Sequence, residues 1–398
     1  MMANSQGTVP ETYRGREQAY IKHRLLESYL EKLFLIVGMS ARKLGITEFC
    51  YVDCFAGPWS DDSEDLAGTS IAISLRILEK CRETLGSHGF GPKFRALYIE
   101  ESPKAFERLQ AFLAKQPSRR VQAEAMQGDF VALRPDILKW CGRNAFVFFF
   151  IDPKGWSTVT VDTLQPLMAR QQSEFLINFQ YDFVNRTASM AAWKQEIAEL
   201  LGEDVNVDGM PPVDREKHLV NTYRKNLKSK IPSSNNFPAR SGYVRVLDPE
   251  KERAKYHLVY LTSHPRGVIE FMEISDDLDL IQKQVRATKK DQTRSNKTGM
   301  EDLFGADSLV DLSKDRIDPE AVDRFWKDYL VGGPKRIGES DFADILEETN
   351  WFPGDIQDSL VRLIDSGEVV NLDAPRRRPK RPLHWDKGDR LKLTREEK

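Results

Sequence analysis

Cysteine is scarce in this chain: four residues among 398, Cys50, Cys54, Cys81 and Cys141, all in the first half and none in a C-x-x-C pair. That spacing offers no metal or redox pair, and Cys50 and Cys54, four apart on an expected strand, share one face and are expected in the core. A charge excess is absent too. The net charge of −2 argues against a uniformly basic nucleic-acid coat and confines any such surface to a local patch. No apolar run reaches the ~18 residues of a membrane helix. The polar start, residues 1–18, lacks the apolar core of a signal peptide, so a cytoplasmic protein without membrane contact is expected. Also missing is the G-x-G-x-x-G fingerprint of dinucleotide-binding folds.

What is present is the balance of an ordinary globular chain, with 40% apolar and 30% charged residues. Its length predicts two or three domains. The organising stretch is Phe49-Cys50-Tyr51-Val52-Asp53-Cys54-Phe55-Ala56-Gly57-Pro58-Trp59. An apolar, β-prone run ends in an acid and breaks at Ala-Gly-Pro, which predicts a buried strand, a tight loop and then a helix from Ser70. Ahead of it, apolar residues recur at helical spacing over 17–44 and predict a long amphipathic helix covering one sheet face. Lys22, His23 and Arg24 near its start are within reach of an anionic ligand.

Four more strands are expected, over 94–100, 121–126, 146–151 and 174–179, with helices between them over 70–84, 103–115 and 158–169. The Phe146-Val147-Phe148-Phe149-Phe150-Ile151 run is apolar at every position and must be a central strand buried on both faces. Strands alternating with helices at this spacing indicate a doubly wound α/β sheet. Two further strands, over 240–246 and 256–262, are expected to complete its far edge. Four strands end in acids, Asp53, Glu100, Asp129 and Asp152, at the carboxyl edge where such sheets bind ligands.

That order suits a class I S-adenosylmethionine (SAM) methyltransferase. The Phe55-Ala56-Gly57-Pro58 loop after Asp53 would let backbone approach the methionine part, Glu100 would accept from both ribose hydroxyls, and Asp129 beside Phe130 would receive the adenine amino group. An NAD enzyme fits less well, because a pyrophosphate wants a less acidic loop. Asp53 and Asp129 also read as turn formers, and Trp156 as packing over a strand end.

Asp-Cys-Phe-Ala-Gly-Pro, Tyr-Ile-Glu-Glu-Ser-Pro, Gly-Asp-Phe, Phe-Ile-Asp-Pro-Lys-Gly-Trp and Phe-Leu-Ile-Asn-Phe…Asn-Arg resemble the three-Cys-motif partner proteins (TcmP family) of bacteria and their mobile elements, from about Tyr20 to beyond Ile274. The resemblance implies a SAM-methyltransferase-like fold and a protein partner that carries the three cysteines of the family's name. The cysteines here inherit no role. Trp59 stands where the family usually continues Ala-Gly-Pro-Gly, and Lys154 replaces the aromatic of Asp-Pro-Tyr-Gly. In amino-group DNA methyltransferases the comparable Asp-Pro-Pro-Tyr holds the target amine. Asp152 and Pro153 are kept, with Trp156 as the stacking ring, Lys154 at the mouth and Arg186 as a contact for an acid or a phosphate.

A first domain over 1–281 is thus expected, then a basic polar linker over 282–316 and a winged-helix-like domain over 317–398. In the last, Gly332-Gly333-Pro334 stops a first helix, Ser340 caps a second, Pro353 opens a third, and a two-stranded ribbon flanks Arg376, Arg377, Arg378, Lys380 and Arg381. The third helix would be the major-groove candidate and the basic loop the wing, a further nucleic-acid contact. The reading is a SAM-dependent methyltransferase acting on DNA or RNA, with no metal. The alternative is a non-catalytic methyltransferase-like scaffold, motivated by Trp59 and Lys154.

Overall fold

A computed structural model describes the chain outside residues 1–8, 11, 12, 14, 58–65, 67, 117–120, 233–236, 249, 250, 252, 299–316, 375, 377, 379 and 395–398. The chain divides into two compact units, Met1–Ser263 and His264–Lys398.

The larger unit begins with α1 (Glu17–Leu44), whose apolar stripe of Leu25, Leu26, Tyr29, Leu30 and Phe34 is buried. Strands and helices then alternate: β1 (Glu48–Asp53), α2 (Ser70–Ser87), β2 (Lys93–Glu100), α3 (Pro103–Lys115), β3 (Gln122–Gln127), α4 (Phe130–Cys141), β4 (Phe146–Ile151), α5 (Val161–Met168) and β5 (Ser173–Phe179). After α6 (Tyr181–Thr187), α7 (Lys194–Leu201) and α8 (Pro212–Lys228), the hairpin of β6 (Arg240–Leu247) and β7 (Ala254–Thr262) closes the unit.

The seven strands form one sheet in the order β3-β2-β1-β4-β5-β7-β6. β1 to β5 are parallel, and β7 runs antiparallel to both its neighbours. Strand order reverses at β1 and β4, so the crevice at their carboxyl ends is the topological switch point where such sheets take ligands. β4 is buried at all six positions, as its uninterrupted apolar run requires. Its Phe149 ring lies 5.2 Å from that of Phe175 on β5, the planes 6° apart. All four cysteines are buried and free. Burial pushes the Cys50 thiol up to about 11 and those of Cys81 and Cys141 to about 12, so none is poised as a nucleophile.

The first helix and the last strand are fastened to each other, since the Tyr256 hydroxyl on β7 donates to the Gln18 carbonyl on α1 at 2.8 Å. Lys255 Nζ adds a second bond to Gln18 Oε1. At the opposite edge of the sheet, Glu174 on β5 is buried and accepts from the hydroxyls of Tyr29 (3.1 Å), Tyr260 (2.6 Å) and Thr262 (2.8 Å). Burial outweighs these donors and pushes the Glu174 carboxyl up to about 7.

Asp53 at the end of β1 is likewise pushed up to about 7 by burial. A carboxyl whose value is raised by folding stabilises the fold while protonated, and that contribution is lost as pH rises from the unfolded value toward 7. Between pH 5 and 8 each of these two groups is expected to lower stability by roughly 3 kcal/mol. Thermal denaturation at fixed ionic strength should show the midpoint falling across this window, and Glu174→Gln should flatten the fall. An equal slope in the variant would remove Glu174 as its source.

The smaller unit opens on α9 (Pro265–Thr298), which packs against two later helices. The expected linker from residue 282 is therefore corrected in its first part: Leu278, Val285 and Ala287 are buried and Lys283 pairs with Asp279 at 2.9 Å, so the helix continues to Thr298. Residues 299–316 lie outside the described part. Then come α10 (Pro319–Tyr329), β8 (Lys335–Ile337), α11 (Glu339–Thr349), α12 (Pro353–Asp365), β9 (Val369–Asn371) and β10 (Asp389–Leu393).

The sheet here has three antiparallel strands, β8-β10-β9, where the sequence indicated two. β8 is three residues long and gives no periodic signal. The cap of α11 is Gly338, not Ser340: Asp341 Oδ2 accepts from the Gly338 N–H at 2.8 Å, and the helix begins one residue before the serine. Trp326 is fully buried and donates its Nε1–H to the Ile356 carbonyl at 3.4 Å, and Phe342, Ile356, Leu360 and Leu391 are fully buried in the same unit.

Candidate functional site

The carboxyl ends of β1 to β4 frame a cleft of about 530 Å³. Phe55 follows β1, Glu100 ends β2, Gly128, Asp129 and Phe130 follow β3, and Pro153 and Lys154 follow β4, and all of them line it. The loop geometry depends on Gly128, whose φ of +147° is closed to other residues and whose added Cβ would meet Leu133 Cδ1 at 3.1 Å. Its N–H donates to the Glu100 carbonyl at 3.0 Å and fastens the two strand ends.

Glu100 is 2% exposed. Its Oε1 accepts from the Ser102 N–H at 2.6 Å, while its Oε2 is buried without a hydrogen-bond partner. Burial raises this carboxyl, and the Ser102 N–H and the nearby Lys154 ammonium work against that rise. A buried, half-satisfied carboxylate is costly unless a donor arrives, and Oε2 leaves Glu100 with an acceptor open to a hydroxyl or N–H. Glu101, just past the end of β2, is exposed and also lines the cleft.

Across the cleft, Asp129 caps α4, its Oδ1 accepting from the Ala132 N–H at 2.8 Å, and the rest of the side chain is exposed. The Phe55 and Phe130 rings lie 5.0 Å apart and give the floor an apolar face. An apolar floor between an acid at one end and a buried carboxylate at the other suits an adenosine.

Other expected site residues lie elsewhere. Asp53 is fully buried and turned inward, accepting from the Phe55 N–H at 3.2 Å and the Ser70 hydroxyl at 2.5 Å, so it fixes the β1 turn and the start of α2 instead of facing the cleft. Ala56 is buried and its N–H donates to the Ile99 carbonyl at 2.8 Å, and Gly57 is buried next to it. Pro58 and Trp59 lie outside the described residues.

Trp156 stacks on Phe183 at 5.3 Å and meets Trp193 edge-on, which makes it part of an aromatic cluster instead of a free stacking ring. Arg186 is exposed on α6, where it pairs with Asp182 at 3.5 Å and takes no part in the cleft. Asp152 directly follows β4 and forms an ion pair with Lys22 of α1. It also accepts from Asn178 Nδ2 at 2.6 Å.

Lys22 enters as a partner of an acid instead of a contact of a free anion. Asn178 was not singled out from sequence, yet an amide inside the otherwise apolar Phe-Leu-Ile-Asn-Phe run of a central strand is the anomaly that points to it. In the smaller unit, Arg376 and Lys380 are exposed, Arg378 is paired with the buried Asp389, Arg381 lies 3.8 Å from Glu273, and Arg377 is outside the described residues. No group of three or more potential metal ligands occurs among the described residues, and no described helix is long and apolar enough to cross a membrane.

A mostly parallel seven-stranded sheet with β7 antiparallel between β5 and β6 is the methyltransferase-like arrangement of the Rossmann type. No family model matches the chain, and no curated protein matches it. Among solved structures, it is similar to a DUF519-family protein of Legionella pneumophila at 12% identity, covering 68% of this chain and 92% of that one with a TM-score of 0.38. A DUF574-family protein of Streptomyces avermitilis matches at 12% identity over 63% of this chain and 87% of that one, with a TM-score of 0.31. The O-methyltransferase TomG of Streptomyces achromogenes, solved with SAM, matches at 10% identity over 65% and 93%, also at 0.31. These scores are low, and the fold class is carried by the strand order.

Proposed function

We propose that this protein is a SAM-dependent methyltransferase acting on nucleic acid. The observation that carries the cofactor is Glu100, whose buried and unpartnered Oε2 sits at the end of β2 beside Oε1 held by Ser102. A ribose diol offers two hydroxyl donors to such a carboxylate, and Asp129 with the Phe55 and Phe130 rings suits the adenine end. SAM has no phosphate, and its sulfonium and ammonium charges are compatible with the acids along this edge. Catalysis would rest mainly on holding the sulfonium methyl close to its acceptor. Calorimetry is expected to show one SAM site per chain, and incubation with labelled SAM and pools of DNA and RNA to show incorporation. Absence of SAM binding would end this reading, while binding without incorporation into nucleic acid would end only its substrate.

We read residues 317–398 of the smaller unit as a winged helix that meets phosphate through its loop and sheet instead of its third helix, α12. α12 carries Asp355, Asp358 and Asp365 against one arginine, Arg362, which is bound to Asp323 at 2.6 Å. An acidic helix is unsuited to a phosphate-lined groove. The exposed Arg376 and Lys380 and the exposed β10 residues Arg390 and Lys392 carry the opposite charge, although Arg390 is engaged by Asp373 at 2.8 Å. Neutralising Arg376 and Lys380 together is expected to lower the log–log salt slope of nucleic-acid binding by about 2. An unchanged slope would remove the loop from the interface. Arg378→Gln should act differently, costing stability by leaving the buried Asp389 without its cation.

A further inference from the structure

Beyond the adenosine cleft, at the β4 and β5 ends of the same edge, three side chains from distant parts of the chain meet. Asn178 of β5 is 3% exposed. Its Nδ2 donates to Asp152 Oδ1 at 2.6 Å, which fixes the orientation of the amide and leaves Oδ1 as its free end. That oxygen is buried and has no hydrogen-bond partner. On the other side of Asp152, Lys22 of α1 sets its ammonium on Oδ2. An ammonium has three N–H donors, and the Lys22 and Asp152 side chains keep 14% and 19% of their surface exposed, so both can take a further contact.

We propose that Lys22, Asp152 and Asn178 form a subsite for a zwitterionic α-amino-carboxylate, which on the methyltransferase reading is the amino-acid end of SAM. The charges decide the class of ligand. A simple anion drawn to Lys22 would meet the Asp152 carboxylate, and a simple cation drawn to Asp152 would meet the Lys22 ammonium. A group carrying both charges satisfies both. Its ammonium donates to Asp152 and to the waiting Asn178 Oδ1, and its carboxylate accepts from the remaining N–H groups of Lys22. β4 lies two strands from β2 in the sheet, with β1 between them. At about 4.8 Å per strand the subsite stands about 10 Å from Glu100, a span that an extended cofactor bridges past Gly57.

The test uses the full-length protein and three ligands measured by calorimetry: SAM, decarboxylated SAM, which keeps the ammonium but lacks the carboxylate, and 5′-methylthioadenosine, which lacks the whole amino-acid group. In the wild type, SAM is expected to bind about 10- to 100-fold more tightly than either of the others. Lys22→Met should erase the preference for SAM over decarboxylated SAM and leave the affinity for 5′-methylthioadenosine unchanged, which also reports that the variant is folded. If Lys22→Met does not fold, the wild-type comparison still decides. Equal wild-type affinity for SAM and decarboxylated SAM, or an undiminished preference in Lys22→Met, overturns the subsite while leaving the adenosine cleft standing. Failure of the wild type to bind SAM at all overturns the methyltransferase reading and the subsite with it.

Discussion

Replacing Glu100 with alanine is expected to weaken SAM binding by about a thousandfold, or about 4 kcal/mol, while leaving the fold intact. The size follows from two hydrogen bonds to a charged acceptor, each worth about 1.5–3 kcal/mol. The fold should tolerate the loss because Glu100 gives the protein little: one bond from the Ser102 N–H offsets a buried carboxylate whose other oxygen has no partner. Removing that desolvated oxygen relieves the large unit as much as it weakens it. Glu100→Gln should fall between, since the amide keeps one acceptor and loses the charge. Calorimetric affinities within threefold of wild type for the alanine variant would remove Glu100 from the cofactor site. A drop accompanied by an equal drop in thermal midpoint would assign it a structural role instead.

The largest effect on stability is expected at Phe149. This ring is fully buried at the middle of β4, itself the centre of the seven-stranded sheet, and stacks on Phe175 of the next strand. Phe149→Ala deletes most of a ring from a layer with strands on both sides and helices on both faces, so the site has little freedom to collapse. A loss of about 3–5 kcal/mol follows for such a deletion. Urea denaturation followed by far-UV dichroism measures it, and a shift worth less than about 1 kcal/mol would mean that the neighbouring rings repack. Phe149→Leu, which keeps most of the volume, should cost much less.

The central strands β4 and β5 are buried at every position, and β4 was legible in the sequence because that burial is written in each of its residues. The six-residue β4 has no polar position, and each of the first three parallel strands closes in an acid at or just past its end, so the sheet and its ligand edge could be read together. The roles of those acids were less legible. Asp53 and Glu100 both end apolar strands in the same sheet, yet Asp53 is met by Ser70 and the Phe55 N–H while Glu100 Oε2 has no hydrogen-bond partner. Which carboxylate is satisfied depends on a serine seventeen positions away, and no local pattern states it.

Trp156 was open between packing and stacking because its partners, Phe183 and Trp193, come from later segments. α4 was concealed by Pro135 within its span, and β8 by its three-residue length. The basic loop shows the same limit. A run of arginines reads as one patch, but Arg378 is committed to Asp389, a residue that only the pairing of β9 with β10 brings alongside.

The bond between Tyr256 on β7 and Gln18 at the start of α1 joins residues 238 apart in sequence. A ribosome adding about 5–20 residues per second needs roughly 10–50 s to make that stretch. For that interval Lys22 emerges with the helix that bears it but without the strand that holds the helix in place. The Lys22–Asp152 pair is expected to close only once β7 has entered the sheet between β5 and β6. An intact Lys22–Asp152 pair would then report that the whole unit has been synthesised and closed.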